Sequence, residues 1–327
     1  MMKALVTGGS GFLGINLIKQ LLDKHWEVIA THRASSNIKD LQALNVTLLE
    51  VDLESPSDLS AKIPKDLDAI FHVAGDTSLW AANNARQHRM NVTVTENLIN
   101  AALEKRIKRF IHTSSISAYG FHQSTINESS PSSAMTSGVN YLRTKYLGEM
   151  VVKKAVEERQ LDAVILNPCA IIGPHDRQSW AQLFSMISND TLPGVPPGEG
   201  SYCHVREVAA AHIAAFEQGK TGENYILGGV DCKFLEVVNT ISRLMGKPER
   251  QRTIPAWALR LLGKVSDFGA KITGKEPEIT TEKAKLVSKR VVASSSKAVS
   301  ELNYRNDVPI NEMLEDCFDW LKQEQLV

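Results

Sequence analysis

Tyr141 and Lys145 stand four residues apart in Tyr-Leu-Arg-Thr-Lys, within a stretch whose pattern predicts a helix over 138–158. On a helix that spacing puts both side chains on one face, where an ammonium can stabilise a phenolate. A tyrosine hydroxyl ionises at about 10 when nothing perturbs it, and a nearby positive charge draws that value toward neutral pH. Tyr141 is therefore a candidate acid/base that exchanges a proton with a substrate oxygen. Such a pair is frequent by chance and gains its meaning from the strand before it. Residues 109–113 read as that strand, and Ser114-Ser115 follow at its end. A hydroxyl at the carboxyl edge of a parallel sheet points into the crevice where ligands bind. Ser115 is the residue expected to hydrogen-bond the substrate oxygen, with Ser114 packed or touching a cofactor.

A second pattern says what that crevice holds. Residues 7–14 read Thr-Gly-Gly-Ser-Gly-Phe-Leu-Gly, directly after the apolar run 3–6 and directly before an apolar-periodic stretch over 12–22. A glycine turn between a strand and a helix is the context that binds a dinucleotide. Gly8 permits the tight turn, Gly11 lets a pyrophosphate approach the helix N-terminus at Phe12 and Leu13, and Gly14 lets the helix pack closely on the sheet. In NAD-binding folds an acidic residue about 20 positions further on, at the end of the second strand, bonds the adenosine ribose. Here that strand ends Ile29-Ala30-Thr31-His32-Arg33, without a carboxylate. The planar fork of Arg33 suits a 2′-phosphate, with Asn37 and Lys39 close enough in sequence to assist. The expectation is NADP(H), with NAD(H) possible. Asp52 and Leu53 close the third strand, where a carboxylate can accept from the adenine amino group. Val73, Ala74 and Gly75 close the fourth, where small residues let the backbone lie against the cofactor.

These residues need a scaffold, and the rest of the chain supplies the pattern of one. Runs nearly continuous in Val, Ile, Leu and Ala over 27–31, 46–51, 69–73, 109–113 and 163–167 suit parallel strands covered on both faces. Between them, 91–105 places Val94, Leu98, Ala101 and Ala102 on one helical face. The expected fold is a doubly wound α/β sheet of Rossmann type with a smaller C-terminal lobe. Its cofactor-binding domain takes residues 1–170 and regains 205–228, and the substrate lobe takes most of 171–327. Prolines and glycines mark 190–201 as a loop, and the serines in 293–297 mark another. Trp257, Leu261, Leu262, Val265 and Phe268 predict an amphipathic helix in the lobe, expected to cover the site or pack against it rather than to bind a membrane.

Composition narrows the rest. Thirty-seven basic and 37 acidic residues cancel, so no global field draws the chain to nucleic acid or to an anionic membrane. The four cysteines, Cys169, Cys203, Cys232 and Cys317, are far apart and offer neither a disulfide framework nor a metal site. A strand pattern begins almost at the N-terminus, so no signal peptide is expected and the chain reads as cytoplasmic.

In order and spacing, TGGSGFLG, DL at 52–53, HVAG, TSSISAYG, YLRTK, NPCAIIGP and HVREVAAAH resemble the extended short-chain dehydrogenase/reductases over almost the whole chain. The look is nearest to the dihydroflavonol-reductase-like and hopanoid-associated epimerase-like members. The resemblance implies Ser115, Tyr141 and Lys145 as a catalytic trio, with Lys145 also holding the ribose and depressing the tyrosine pKa. It implies that Asn91 supports a proton relay, that Pro168 and Ile171 flank the nicotinamide, and that the helices around 91–105 and 140–158 pair two copies into a homodimer. Arg206 departs from the family pattern, which has aspartate there. The trio serves carbonyl reduction by NADPH and also internal redox in NAD-dependent sugar epimerases and dehydratases; a non-catalytic NADP-sensing protein is a third class, in which tyrosine and lysine are usually lost. Arg33 favours the reductase. A diphosphate-binding cluster is not evident, with Arg177 and Arg206 its only candidates. A small-molecule substrate should meet Ser115 and walls drawn from 77–80, 119–122 and 175–180. Tyr119 is one candidate in those walls; Trp80 and Trp180 either line an apolar pocket or fill core gaps.

Overall fold

Strands without a polar face must be covered on both sides, and the chain does this with helices. In the computed structural model, which describes residues 1–327, the strands are β1 (Lys3–Thr7), β2 (Glu27–His32), β3 (Thr47–Glu50), β4 (Ala69–His72), β5 (Arg109–Thr113), β6 (Ala163–Pro168), β7 (Ala170–Ile172), β8 (Glu199–His204), β9 (Asn224–Leu227), β10 (Val230–Lys233) and β11 (Arg290–Val291). Seven of them form one sheet in the order β3-β2-β1-β4-β5-β6-β9, with every neighbouring pair parallel. The order reverses between β1 and β4, and ligands of such sheets bind at the carboxyl ends of the strands beside that reversal. β9, far along the chain, is the last strand of the sheet.

One face of the sheet is covered by the helices Phe12–Asp23 and Val205–Gln218, whose apolar sides join Val6, Ala30, Phe71 and Tyr225 in a common core. The other is covered by Val94–Lys105 and Asn140–Arg159, against Leu5, Ile70, Phe110 and Ile165. A third core, with Ile172, Trp180, Phe184, Ile241, Leu314 and Trp320, fills the smaller lobe. There β8 pairs with β7, β10 and β11 in a small sheet.

Three expectations change. The loop anticipated over 190–201 ends early, because β8 begins at Glu199. Gly198 serves packing rather than a turn: a Cβ there would stand 2.2 Å from the Val287 carbonyl. The helix anticipated over 91–105 starts with a π-turn at Arg89–Thr93, where an extra residue per turn widens the helix; the backbone of Gly148 sits so close that a Cβ would be 2.5 Å from the Asn91 carbonyl. The amphipathic helix runs Ala256–Thr273, but only Leu259, Gly263 and Ala270 of it are buried. Its packing face is this narrow strip, and Trp257, Leu261, Leu262, Val265 and Phe268 point to solvent instead of covering the site.

Two glycines inside helices make opposite demands. A Cβ on Gly14 would lie 2.1 Å from the Gly8 carbonyl oxygen, whereas one on Gly269 would meet nothing within 4 Å. Gly14→Ala is expected to lose about 3 kcal/mol or more through forced backbone movement, and Gly269→Ala to gain about 0.5–1 kcal/mol from helix propensity. Urea unfolding of both variants checks this; equal effects would contradict the packing described.

Candidate active site

The helix Asn140–Arg159 carries Tyr141, Lys145 and, one turn further on, Glu149 along one ridge that faces the carboxyl end of β5. Ser115 sits just past that strand and is 9% exposed. Its oxygen accepts the Ser117 N–H at 3.1 Å, and its hydroxyl is near enough to the Tyr141 phenol to favour the ionised form. Lys145 is buried and donates from Nζ to the Thr113 carbonyl at 3.2 Å. A Cβ on Gly75 would lie 3.3 Å from that nitrogen and 3.2 Å from Asn91 Oδ1, so the lysine, the asparagine and the end of the Val73-Ala74-Gly75 segment converge.

The protonation states follow from burial. Loss of solvent pushes the Tyr141 phenol above its usual value; the nearby Ser115 hydroxyl pulls it part of the way back, and the Asp76 carboxylate adds to the rise. The lowering expected from Lys145 is therefore not what the protein imposes, and Tyr141 is a neutral proton donor at neutral pH. Lys145 itself is brought down to about 8 by burial, against the opposing charges of Glu149 and Asp76. Below it, desolvation holds His72 at about 3 and His112 well under its ordinary value, with the Lys145 charge contributing to both. The imidazoles are neutral, and neither nitrogen of His112 has a hydrogen-bond partner within the chain.

Glu149 gathers three donors in a buried site. Ser114 Oγ donates at 2.5 Å, Asn224 Nδ2 at 3.1 Å, and Asn167 Nδ2 also donates to it. Asn167 Nδ2 further bonds the Ser115 carbonyl at 3.1 Å, and Asn224 Nδ2 bonds Asn167 Oδ1 at 2.8 Å. Sequence reading named Ser114 as packed or touching cofactor and missed the other three. The available signal was a carboxylate at Lys145 plus four on a core-facing helix, and asparagines inside otherwise apolar strands. Asn91 makes a paired contact with the backbone of Asp76, accepting from its N–H at 2.8 Å and donating to its carbonyl at 2.9 Å, and donates to Thr144 Oγ1 at 3.0 Å. Its side chain thereby fixes the segment after β4.

The glycine loop lies backbone to backbone on that same segment. Gly8 has φ +69°, a left-handed value, and a Cβ there would stand 2.8 Å from the Ala74 nitrogen, so any larger residue would fill the cradle. Gly11 precedes the Phe12–Asp23 helix with extended backbone and no side-chain cap, leaving the first helical N–H groups for an anion. Phe12 is half-buried and Leu13 buried; Val73 and Ala74 are half-buried beside the open Gly75. Arg33 is exposed just past β2, its N–H bonded to Ser36 Oγ at 3.1 Å. Asn37 is exposed and accepts the Lys39 N–H through Oδ1 at 3.1 Å. Asp52 lies two residues past β3, its Oδ1 accepting the Glu54 N–H at 2.9 Å, and Leu53 beside it is buried. Pro168 ends β6, and Ile171 lies half-buried in β7. A narrow glycine cradle, free helix N–H groups and a guanidinium beyond β2 fit a dinucleotide.

Residues 4–228 match the model of the NAD dependent epimerase/dehydratase family. The chain belongs to that family. A relative from Synechocystis sp. named putative dihydroflavonol 4-reductase is 30% identical, over 98% of this chain and 95% of its own. Sterol demethylase protein B of Methylococcus capsulatus is 30% identical over 81% of each chain. The solved structure of gox2253 superposes with a TM-score of 0.87 at 29% identity, covering all of both chains.

Around the trio of this epimerase/dehydratase family member, the walls are apolar on one side. Leu79, Phe121, Tyr141, Tyr146 and Leu286 pack on a small core of Ala134, Val139 and Leu142. The stretches 77–80 and 119–122 thus reach the site region, with Trp80 half-buried in the first. Tyr119 is 6% exposed and packs in the sheet's own core. Trp180 does not join the wall: it is 8% exposed in the lobe core, donates from Nε1 to the Ile171 carbonyl at 2.6 Å, and lies 6.0 Å from the Tyr202 ring. Its indole fills a core gap and satisfies its one donor there. The rest of 175–180 joins the lobe to the sheet domain. Arg177 reaches Glu324 at 2.6 Å and Asp40 at 3.3 Å. Arg206 likewise bonds Glu207 and Glu312, each at 3.1 Å.

Glu149→Gln places an amide nitrogen against a neighbouring asparagine amide whichever way it turns. A loss of about 2 kcal/mol in urea unfolding is expected from the buried donor left facing a donor, with nucleotide affinity retained because the glycine loop is untouched. An unchanged unfolding midpoint would contradict the network.

Proposed function

We propose that this protein is an NADPH-dependent reductase of a carbonyl or aldehyde on a small, largely apolar molecule. The observation that carries the reading is Arg33: an exposed guanidinium without an ion pair, placed beyond β2 where NAD-binding sheets put a carboxylate. The two arginines that a substrate diphosphate would need, Arg177 and Arg206, are already held by carboxylates, which counts against a sugar nucleotide. The apolar side chains gathered near Tyr141 support an apolar substrate.

The bound cofactor supplies the hydride that adds to the carbonyl carbon. Ser115 orients the carbonyl oxygen by hydrogen bonding. Tyr141 gives its Oη proton to that oxygen as charge develops there, so carbonyl, hydride and proton together make the alcohol. Lys145 stabilises the phenolate left behind. Asn91 holds the segment after β4 in place beside the lysine, a positioning role.

Tyr141→Phe is expected to lower kcat about 10²–10⁴-fold with NADPH affinity retained; a near wild-type rate would remove Tyr141 from the chemistry. Since Lys145 is the group held at about 8, kcat/KM for reduction is expected to hold below that pH and fall above it, as the ammonium needed by the phenolate is lost. An activity that rises through pH 9 would contradict this. Arg33→Asp is expected to weaken NADPH binding about 100-fold, the worth of a charge-assisted pair, while NADH binding changes little or improves. Nucleotide fluorescence titration reads both. Tightly held NAD in the purified protein would instead favour the epimerase or dehydratase reading.

A further inference from the structure

Six of the eleven large apolar side chains most open to solvent stand on one helix, Ala256–Thr273. Trp257, Leu261, Leu262, Val265, Phe268 and Ile272 are 43% to 78% exposed. At about 100° per residue, five of them fall within an arc of roughly 80°, with Leu262 beyond its edge. The buried Leu259, Gly263 and Ala270 lie on the opposite side. That inner face is held fast: a Cβ on Gly263 would be 2.8 Å from the Thr280 carbonyl, and Asp267 accepts the Thr281 N–H at 2.9 Å. The stripe is thus presented outward by a well-anchored helix.

Charge tells what the stripe meets. Arg260, Lys264 and Lys271 form a row along one edge of it, all exposed and without ion pairs. Across residues 250–275 there are six basic residues, Arg250, Arg252, Arg260, Lys264, Lys271 and Lys275, and one acidic residue, Asp267, in a chain whose total charge is zero. Asp267 is turned inward to Thr281. Apolar side chains flanked by long cations that reach sideways suit an interface of acyl chains and anionic headgroups. Two copies of this helix packed antiparallel through the stripe would set the basic rows side by side, an arrangement charge repulsion opposes. No helix is long and apolar enough to cross a membrane, so the geometry is that of a helix lying in the surface plane.

We propose that the helix Ala256–Thr273 docks the protein on an anionic lipid bilayer. The chain just beyond this helix reaches the candidate site. Thr280 Oγ1 donates to the Leu79 carbonyl at 2.5 Å, Lys285 Nζ to the Ser137 carbonyl at 2.5 Å, and Glu276 accepts from Ser78 and Asn83 at 3.3 Å each. Residues that follow the helix therefore touch the loops beside Tyr141. The docking stands without the reductase reading; only the corollary that an apolar substrate arrives from the bilayer rests on it.

Sedimentation of the full chain with vesicles of equimolar phosphatidylcholine and phosphatidylglycerol tests the proposal, with pure phosphatidylcholine vesicles in parallel. Wild type is expected to sediment with the anionic vesicles and much less with the neutral ones. Leu261→Glu and Phe268→Glu, both at exposed positions, should each weaken partitioning about tenfold or more. The triple variant Arg260→Gln, Lys264→Gln, Lys271→Gln should lose the preference for anionic lipid. Unchanged unfolding midpoints confirm the fold, and nucleotide affinity, measured without lipid, separates this proposal from the proposed function. Wild type left in the supernatant, glutamate variants that sediment like wild type, or a lipid-free dimer that Phe268→Glu splits would each overturn it.

Discussion

The arrangement of the candidate site depends on one buried carboxylate. Glu149 draws donors from Ser114 after β5, Asn167 on β6 and Asn224 on β9, and it sits on the helix that carries Tyr141 and Lys145. A carboxylate taken out of water is costly unless donors reach both of its oxygens, so the three elements are held at a spacing that brings Ser114 and Asn167 to one oxygen and Asn224 to the other. Burial pushes the Glu149 carboxyl up, and the Ser114 donor, the Lys153 charge and the two asparagine donors pull it part of the way back. Through Asn167 the same network grips the Ser115 carbonyl, which is how an interaction beneath the site sets the hydroxyl within it.

The cofactor cradle is built on a different constraint, the absence of side chains. Gly8 faces the Ala74 backbone and Gly14 faces the Gly8 carbonyl at separations no Cβ tolerates. Close backbone contact there leaves the start of the first helix bare, with its N–H groups turned toward the crevice. Asn91 completes the platform from the other side by bonding both backbone groups of Asp76. The π-turn around Asn91 and the missing side chain at Gly148 belong together, since the wider turn presses a carbonyl where only glycine fits.

Cations that sequence alone leaves open for a ligand turn out to have structural work. Arg177 lies over the Trp320 ring at 4.8 Å and pairs with Asp40 and Glu324, joining the first domain to the C-terminal helix Ile310–Gln323 and its tail. Arg206, in the place of an aspartate, joins the Val205–Gln218 helix to that C-terminal helix through Glu312. Arg33, Arg260, Lys264 and Lys271 are free by contrast, and the chemistry proposed for the molecule rests on this division between committed and uncommitted charge.

Local pattern determined much of this protein. Glycine spacing between a strand and a helix, strands lacking a polar face, and a tyrosine and lysine one helical turn apart each follow from nearest-neighbour geometry, so the parallel sheet, the shared helix face of Tyr141 and Lys145 and the glycine turn were legible in residue order. What remained hidden was whatever depends on partners distant in sequence. Glu149, Asn167 and Asn224 become a network only when three strand ends and a helix meet. Trp180 becomes core rather than pocket because the Ile171 carbonyl awaits its N–H. The phenol of Tyr141 is raised rather than lowered because burial outweighs what an adjacent charge suggests. Residues 256–273 show the division most plainly: periodicity determined that a helix with an apolar side forms there, but a helix can turn either side inward. Only the tertiary structure decided that the side with Leu259, Gly263 and Ala270 turns inward, where Gly263 packs against Thr280 because its missing side chain lets the two backbones come close enough to touch.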